Sequence, residues 1–94
     1  MDTTTDRPDL EMTLAVRQHG SLALAARQLG VTPSAITRRL AALETRLGLR
    51  LFQRTTRRVS ATAEGEAFCE RAAVLLQGFA ALEGELLERR AEAS

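Results

Sequence analysis

Between Thr32 and Gly48 the sequence reads TPSAITRRLAALETRLG, and its first turns carry side chains suited to touching a nucleic acid. Ser34, Thr37 and Arg38 bring two short hydroxyls and a guanidinium close together. Such groups hydrogen-bond phosphate oxygens and base edges at short range. To act from one surface they need a helix beneath them, and the stretch is punctuated as one. Thr32 is a good N-cap, Pro33 suits the first helical position, where its missing N–H costs nothing, and Gly48 marks the stop. Ile36, Leu40, Leu43 and Leu47 recur at steps of four, three and four, which predicts one apolar stripe turned to a core. The other faces turn outward, as a DNA-reading helix requires. Arg38 and Arg39 point about 100° apart on such a helix, so only one fits the groove position. Arg38 is expected there, and Arg39 at phosphate or solvent.

Other chemistries lack their parts. No Cys/His cluster, phosphate-binding glycine loop or nucleophile with a base is present, so no enzyme, cofactor or metal is expected. His19 stands alone at a predicted helix end, and the single cysteine, Cys69, rules out an internal disulfide. Phe52, Phe68 and Phe79 are the only aromatic residues, too few for platforms that stack single-stranded bases. No apolar run approaches a membrane span, and a cytoplasmic, nucleoid-associated protein is the simplest expectation.

Charge separates along the chain. Net charge is only +1, yet from Arg17 to Arg58 nine arginines face the single acid Glu44, with acidic stretches on either side. All thirteen cations are arginine, which suits fork-shaped contacts to phosphate or guanine and equally matches the coding habit of a GC-rich genome. At 94 residues the chain is one domain with an appended element, able to bury only roughly 60–65% of its unfolded surface.

The elements that must hold the reading helix can be taken in order. Residues 1–8 are polar and end in a proline, and read as a flexible arm. Leu10, Met12, Leu14 and Val16 predict a first helix beginning at Pro8 or Asp9 and stopped by Gly20. Ser21 caps a second, LALAARQL, whose alanines allow close helix contact, and Gly30 ends it. Ala26, Gly30 and Ile36 then mark a helix-turn-helix: a small residue at the crossing, a glycine in the turn and a branched residue packing back. Beyond Gly48, Leu49, Leu51, Val59 and Ala61 alternate with polar residues about Thr55-Thr56, predicting a hairpin. Arg54, Arg57 and Arg58 would sit near its tip as a charged wing, the bland alternative being a basic solvated loop. The winged helix-turn-helix thus occupies residues 9–62.

Residues 63–94 read as one long helix capped by Thr62, with Glu64 and Glu66 in its first turn. Phe68, Ala72, Leu75, Phe79, Leu82 and Leu86 step by four and three alternately, the spacing of a heptad seam, and a seam this long needs a partner helix. Cys69 lies beside it as a small packing residue.

Residues 10–65 resemble the N-terminal DNA-binding region of the LysR-type transcriptional regulators. The resemblance rests on Gly20-Ser21, Ala25-Ala26, Leu29, the Thr-Pro-Ser start at Thr32, Leu43-Glu44, Leu47-Gly48, Leu51-Phe52, Arg54, Arg57-Arg58, Thr62 and Gly65, all in register without gaps. It implies a mostly α fold: a winged helix-turn-helix of three helices and a short β-hairpin, followed by a long linker helix through which two chains pair. It also implies double-stranded DNA with an approximately palindromic operator as partner, a homodimer, a tetramer open to a full-length protein, and a C-terminal effector domain that this chain lacks. Thr32, Pro33, Ser34, Thr37 and Arg38 would lie in or beside the major groove, and Arg57 with Arg54 near the minor groove or backbone. Two residues depart from the family pattern. Pro33 stands where glutamine is common, and Thr13 replaces an aromatic in the first helix. The competing reading is a helical dimerising interaction module that binds DNA only nonspecifically through its arginines.

Overall fold

The computed structural model describes residues 5–55 and 58–93. Helices α1 (Arg7–His19), α2 (Leu22–Leu29) and α3 (Pro33–Leu47) come first, then strands β1 (Phe52–Arg54) and β2 (Val59–Ala61), then helix α4 (Ala63–Ala93). The strands pair antiparallel, with Phe52 opposite Ala61 and Arg54 opposite Val59. This is the mostly helical, winged arrangement that the sequence predicts.

Each of the first three helices begins at an oxygen-bearing cap. Ser21 Oγ accepts from Leu24 N–H at 3.2 Å and Thr32 Oγ1 from Ala35 N–H at 3.1 Å. Asp6 does the same for α1: its carboxylate accepts from Asp9 N–H at 3.0 Å, and Asp9 Oδ2 accepts from Asp6 N–H at 3.1 Å. This reciprocal box starts α1 at Arg7, earlier than the Pro8 or Asp9 start expected, because Pro8 sits within the first turn and needs no N–H partner there. Residues 5–8 therefore belong to the fold rather than to an arm, while residues 1–4 lie outside the described residues. Gly30 ends α2 at φ 72°, a left-handed conformation that lets the chain turn within two residues into the Thr32 cap.

The core is built where the helices cross. Met12, Ala15 and Val16 of α1 meet Ala25 and Ala26 of α2, and Ile36, Leu40 and Leu43 root α3 among them. Thr13, which stands where the resemblance implies an aromatic, is fully buried, its hydroxyl donating to Leu10 O at 2.9 Å, and Met12 is buried in the same core. Leu47 departs from the predicted stripe: it is 38% exposed, and Leu49 beyond it 48%. Leu49 and Leu51 also fall outside the strand. Glu44 Oε2 accepts from the backbone N–H groups of Leu51 at 2.7 Å and Phe52 at 3.1 Å, tying that backbone to α3 and delaying β1 to Phe52.

The first turns of α4 complete the same core. Thr62 Oγ1 accepts from Gly65 N–H at 3.0 Å and donates to Arg50 O at 2.6 Å. A Cβ on Gly65 would lie 1.9 Å from Leu51 O, so only glycine allows this approach. Cys69 is buried with its thiol 3.6 Å from Thr13 O, and burial pushes that thiol up from its ordinary value. A boundary between residues 62 and 63 thus runs through a shared core. The expected seam divides likewise. Ala72 is 1% exposed and Phe68 is half-buried, both spent on the chain's own packing. Leu75, Phe79, Leu82 and Leu86 are exposed, together with Val74 and Leu87.

Candidate nucleic-acid interface

The turn from α2 into α3 is held by Val31 N–H donating to Ala26 O at 3.0 Å and Gly30 N–H to Arg27 O at 3.3 Å. It delivers Thr32, Pro33 and Ser34 to the surface at the start of α3. Arg38 follows one turn later, also exposed, while Thr37 is half-buried and so more recessed than its neighbours. Beneath these residues Ile36 and Leu40 are anchored in the core, so the exposed side chains stand on a fixed platform. The exposed Pro33 carries no side-chain amide, and its ring offers only apolar contact.

The hairpin adds a second cationic edge. Arg54 ends β1 and Arg58 precedes β2, both exposed. Thr55 N–H donates to Arg58 O at 2.8 Å and Arg58 N–H to Thr55 Oγ1 at 3.1 Å, which holds the two arginines on one tip. Arg57, expected on the wing, lies outside the described residues, as does Thr56. Val59 N–H donates to Gly20 O at 3.1 Å, fastening the hairpin beside the start of α2.

The central arginines among the described residues do not form one basic face. Arg17 pairs with Glu66 at 3.1 Å, and Arg50 lies 3.9 Å from Glu44. Arg39, expected at phosphate or solvent, instead bonds α1: Nε donates to Asp9 Oδ1 at 2.9 Å and Nη2 to Asp6 Oδ1 at 3.1 Å. Arg46 is three-quarters buried and reaches Asp9 Oδ2 at 3.5 Å and Thr5 Oγ1 at 3.1 Å. The physical reason is the capping box, which points two carboxylates from the first turn of α1 at α3. The Asp9 N–H bond, followed by Arg39, holds the Asp6 carboxyl below the usual carboxylate range; the hydrogen bond to Asp9 raises Arg39 further. Among the described residues, Arg27, Arg38, Arg54 and Arg58 have no carboxylate within 4 Å.

Two features escaped the sequence reading. Glu44 serves as a backbone acceptor, and the Asp6–Asp9 pair as an arginine clamp; only the spacing of Asp6 and Asp9 by three residues hinted at a capping box. On the far side, Arg7 stands 5.3 Å over the Phe79 ring and 3.8 Å from Glu83, so one turn of the exposed α4 face is already engaged by α1. No group of His, Cys, Asp and Glu able to hold a metal occurs among the described residues, and none of the described helices is long and apolar enough to cross a membrane.

Residues 8–66 match the family described as bacterial regulatory helix-turn-helix protein, lysR family. The chain is 41% identical over 83 residues to the HTH-type transcriptional regulator CrgA of Neisseria meningitidis serogroup C, an alignment covering 88% of this chain and 28% of CrgA. The chain therefore spans under a third of that relative's length. Among solved structures, the CbnR DNA-binding domain in complex with DNA superposes with a TM-score of 0.81 at 37% identity, covering 96% of this chain and all of that one. The BenM DNA-binding domain bound to catB site 1 DNA gives 0.85 at 27% identity, covering 89% and 93%.

Proposed function

The chain belongs to the lysR family of bacterial regulatory helix-turn-helix proteins and carries that family's DNA-binding domain; on this premise we propose that it reads a specific double-stranded DNA sequence as a homodimer. The start of α3 enters the major groove, where Thr32, Pro33, Ser34 and Thr37 meet base edges and phosphate and Arg38 takes a guanine. Arg54, Arg57 and Arg58 follow the adjacent minor groove or backbone and fix the register. Two copies pair through Leu75, Phe79, Leu82 and Leu86, setting their α3 helices about one helical turn, ~34 Å, apart on an approximately palindromic operator.

The observation that carries this reading is the exposure of Thr32 to Ser34 and Arg38 on a rigid helix, with Arg38 free of carboxylates among the described residues while Arg39 and Arg46 are paired. A surface meant only to attract polyanions has no use for such selection. The test is enrichment from a randomised duplex pool, with winners compared against scrambled DNA across a salt series. An inverted repeat whose preference survives moderate salt is expected. Weak uniform binding that salt abolishes would leave the interaction module as the better reading.

A further inference from the structure

We infer that Asp6 and Asp9 are specificity determinants of the DNA-binding face: they withhold Arg39 from phosphate, so that α3 presents Arg38 as its free guanidinium. The inference rests on the sequence-specific reading above and adds residues outside the reading helix to it.

Nonspecific affinity grows with each cation that reaches a phosphate, whereas discrimination between bases does not. A reader with surplus arginines beside its recognition surface binds everything more tightly and chooses less well. Helix α3 carries Arg38, Arg39 and Arg46, two of them adjacent. The Arg39 side chain is 45% exposed, so it would be accessible to a phosphate if released. Release is opposed by three hydrogen bonds to two carboxylates. Its Nε is held by Asp9 at 2.9 Å, and its Nη2 by both oxygens of Asp6 at 3.1 and 3.3 Å. Those carboxylates cannot swing away, because each also caps the other's backbone N–H in the α1 box. The Asp9 side chain is 8% exposed and divides its oxygens between Arg39 and Arg46, so surrendering either arginine leaves a buried charge short of a partner. Both arginines thus sit in a locally neutral cluster bolted to the scaffold.

The test compares the unaltered chain with Asp6→Asn/Asp9→Asn, measuring affinity for the selected operator and for scrambled duplex across a salt series, with thermal melts to verify folding. Asparagine keeps an oxygen acceptor for each cap but removes the charge that holds the guanidinium. For scrambled DNA the expected result is a rise of about 3- to 10-fold and a salt slope steeper by about 0.9 per guanidinium released. The operator-to-scrambled ratio should fall by a similar factor. Adding Arg39→Ala to the double variant should restore slope and ratio, and Glu85→Gln/Glu88→Gln on α4, an equal change of net charge at a distance, should leave both unchanged. Should the double variant not fold, Asp6→Asn alone, at an exposed carboxylate, should show the same direction with smaller size. Unchanged slope and ratio in a folded variant, or a rise that persists after Arg39→Ala, would overturn the inference. If the unaltered chain itself showed no preference for any sequence, the reading of specific binding would fail, whereas a steeper slope reversed by Arg39→Ala would still establish the masking.

Discussion

The two halves of α4 share one spacing pattern and have opposite fates. Up to Ala72 the helix sinks into the head: Gly65 rides on the Leu51 backbone, Cys69 touches α1, and Ala72 is enclosed. Beyond Val74 the same alternation of threes and fours stands in water, with Leu82 54% and Leu86 57% exposed. A heptad stripe therefore specifies an apolar face without specifying what covers it. The fold supplies the cover for the first part, and a second copy is proposed for the rest.

Changes in the head and in the shaft should separate cleanly, and the largest effect belongs to the head. Leu43→Ala empties a fully enclosed site between α3 and the core and should cost ~2–5 kcal/mol, read as a fall in the denaturation midpoint of the isolated chain. Leu82→Glu should leave the head's secondary structure intact while abolishing the dimer in sedimentation; a variant that stays dimeric would break the assignment of the shaft. Gly65→Ala should cost ~1–3 kcal/mol, because a methyl group has to push α4 off the Leu51 carbonyl. Smaller again is Gly84→Ala, whose added methyl meets nothing, and which should stabilise the shaft helix by ~1 kcal/mol, visible as a gain in helical circular dichroism.

Acid sharpens the same contrast. Asp6 has its carboxyl held below the ordinary value of 3.8, so its contribution to stability is present above that pH and is lost as pH falls through the lower, folded value. Stability measured by denaturant at a series of pH values should decline in that acid range, and Asp6→Asn should remove part of the decline.

Local punctuation was legible because it is local. Thr32 with Pro33, Ser21, Gly30 and Thr62 each act on a backbone group within a few residues, and the helices start and stop where those signals stand. Asp6 performs the same task two residues ahead of Pro8, and a proline disfavours helix in the residue before it, which hides that cap in the sequence. What the sequence could not show is pairing across long separations. Arg39 and Asp9 lie 30 residues apart, and Glu44 meets the backbone N–H groups of Leu51 and Phe52 beyond the end of α3. The angle between Arg38 and Arg39 follows from helix geometry, but which carboxylates await Arg39 follows only from the crossing of α1 and α3. The depth of the α4 seam was hidden for the same reason.

On the proposed function the exposed face of α3 reads bases, with Arg38 as its specific cation. The direct measurement is binding of the unaltered chain and of Arg38→Ala to the selected operator and to every single base-pair substitution within one half-site. A loss of ~1–3 kcal/mol confined to one base pair, to which the variant becomes indifferent, is the predicted result. An equal loss on every sequence, operator and scrambled alike, would contradict it and reduce Arg38 to a phosphate contact.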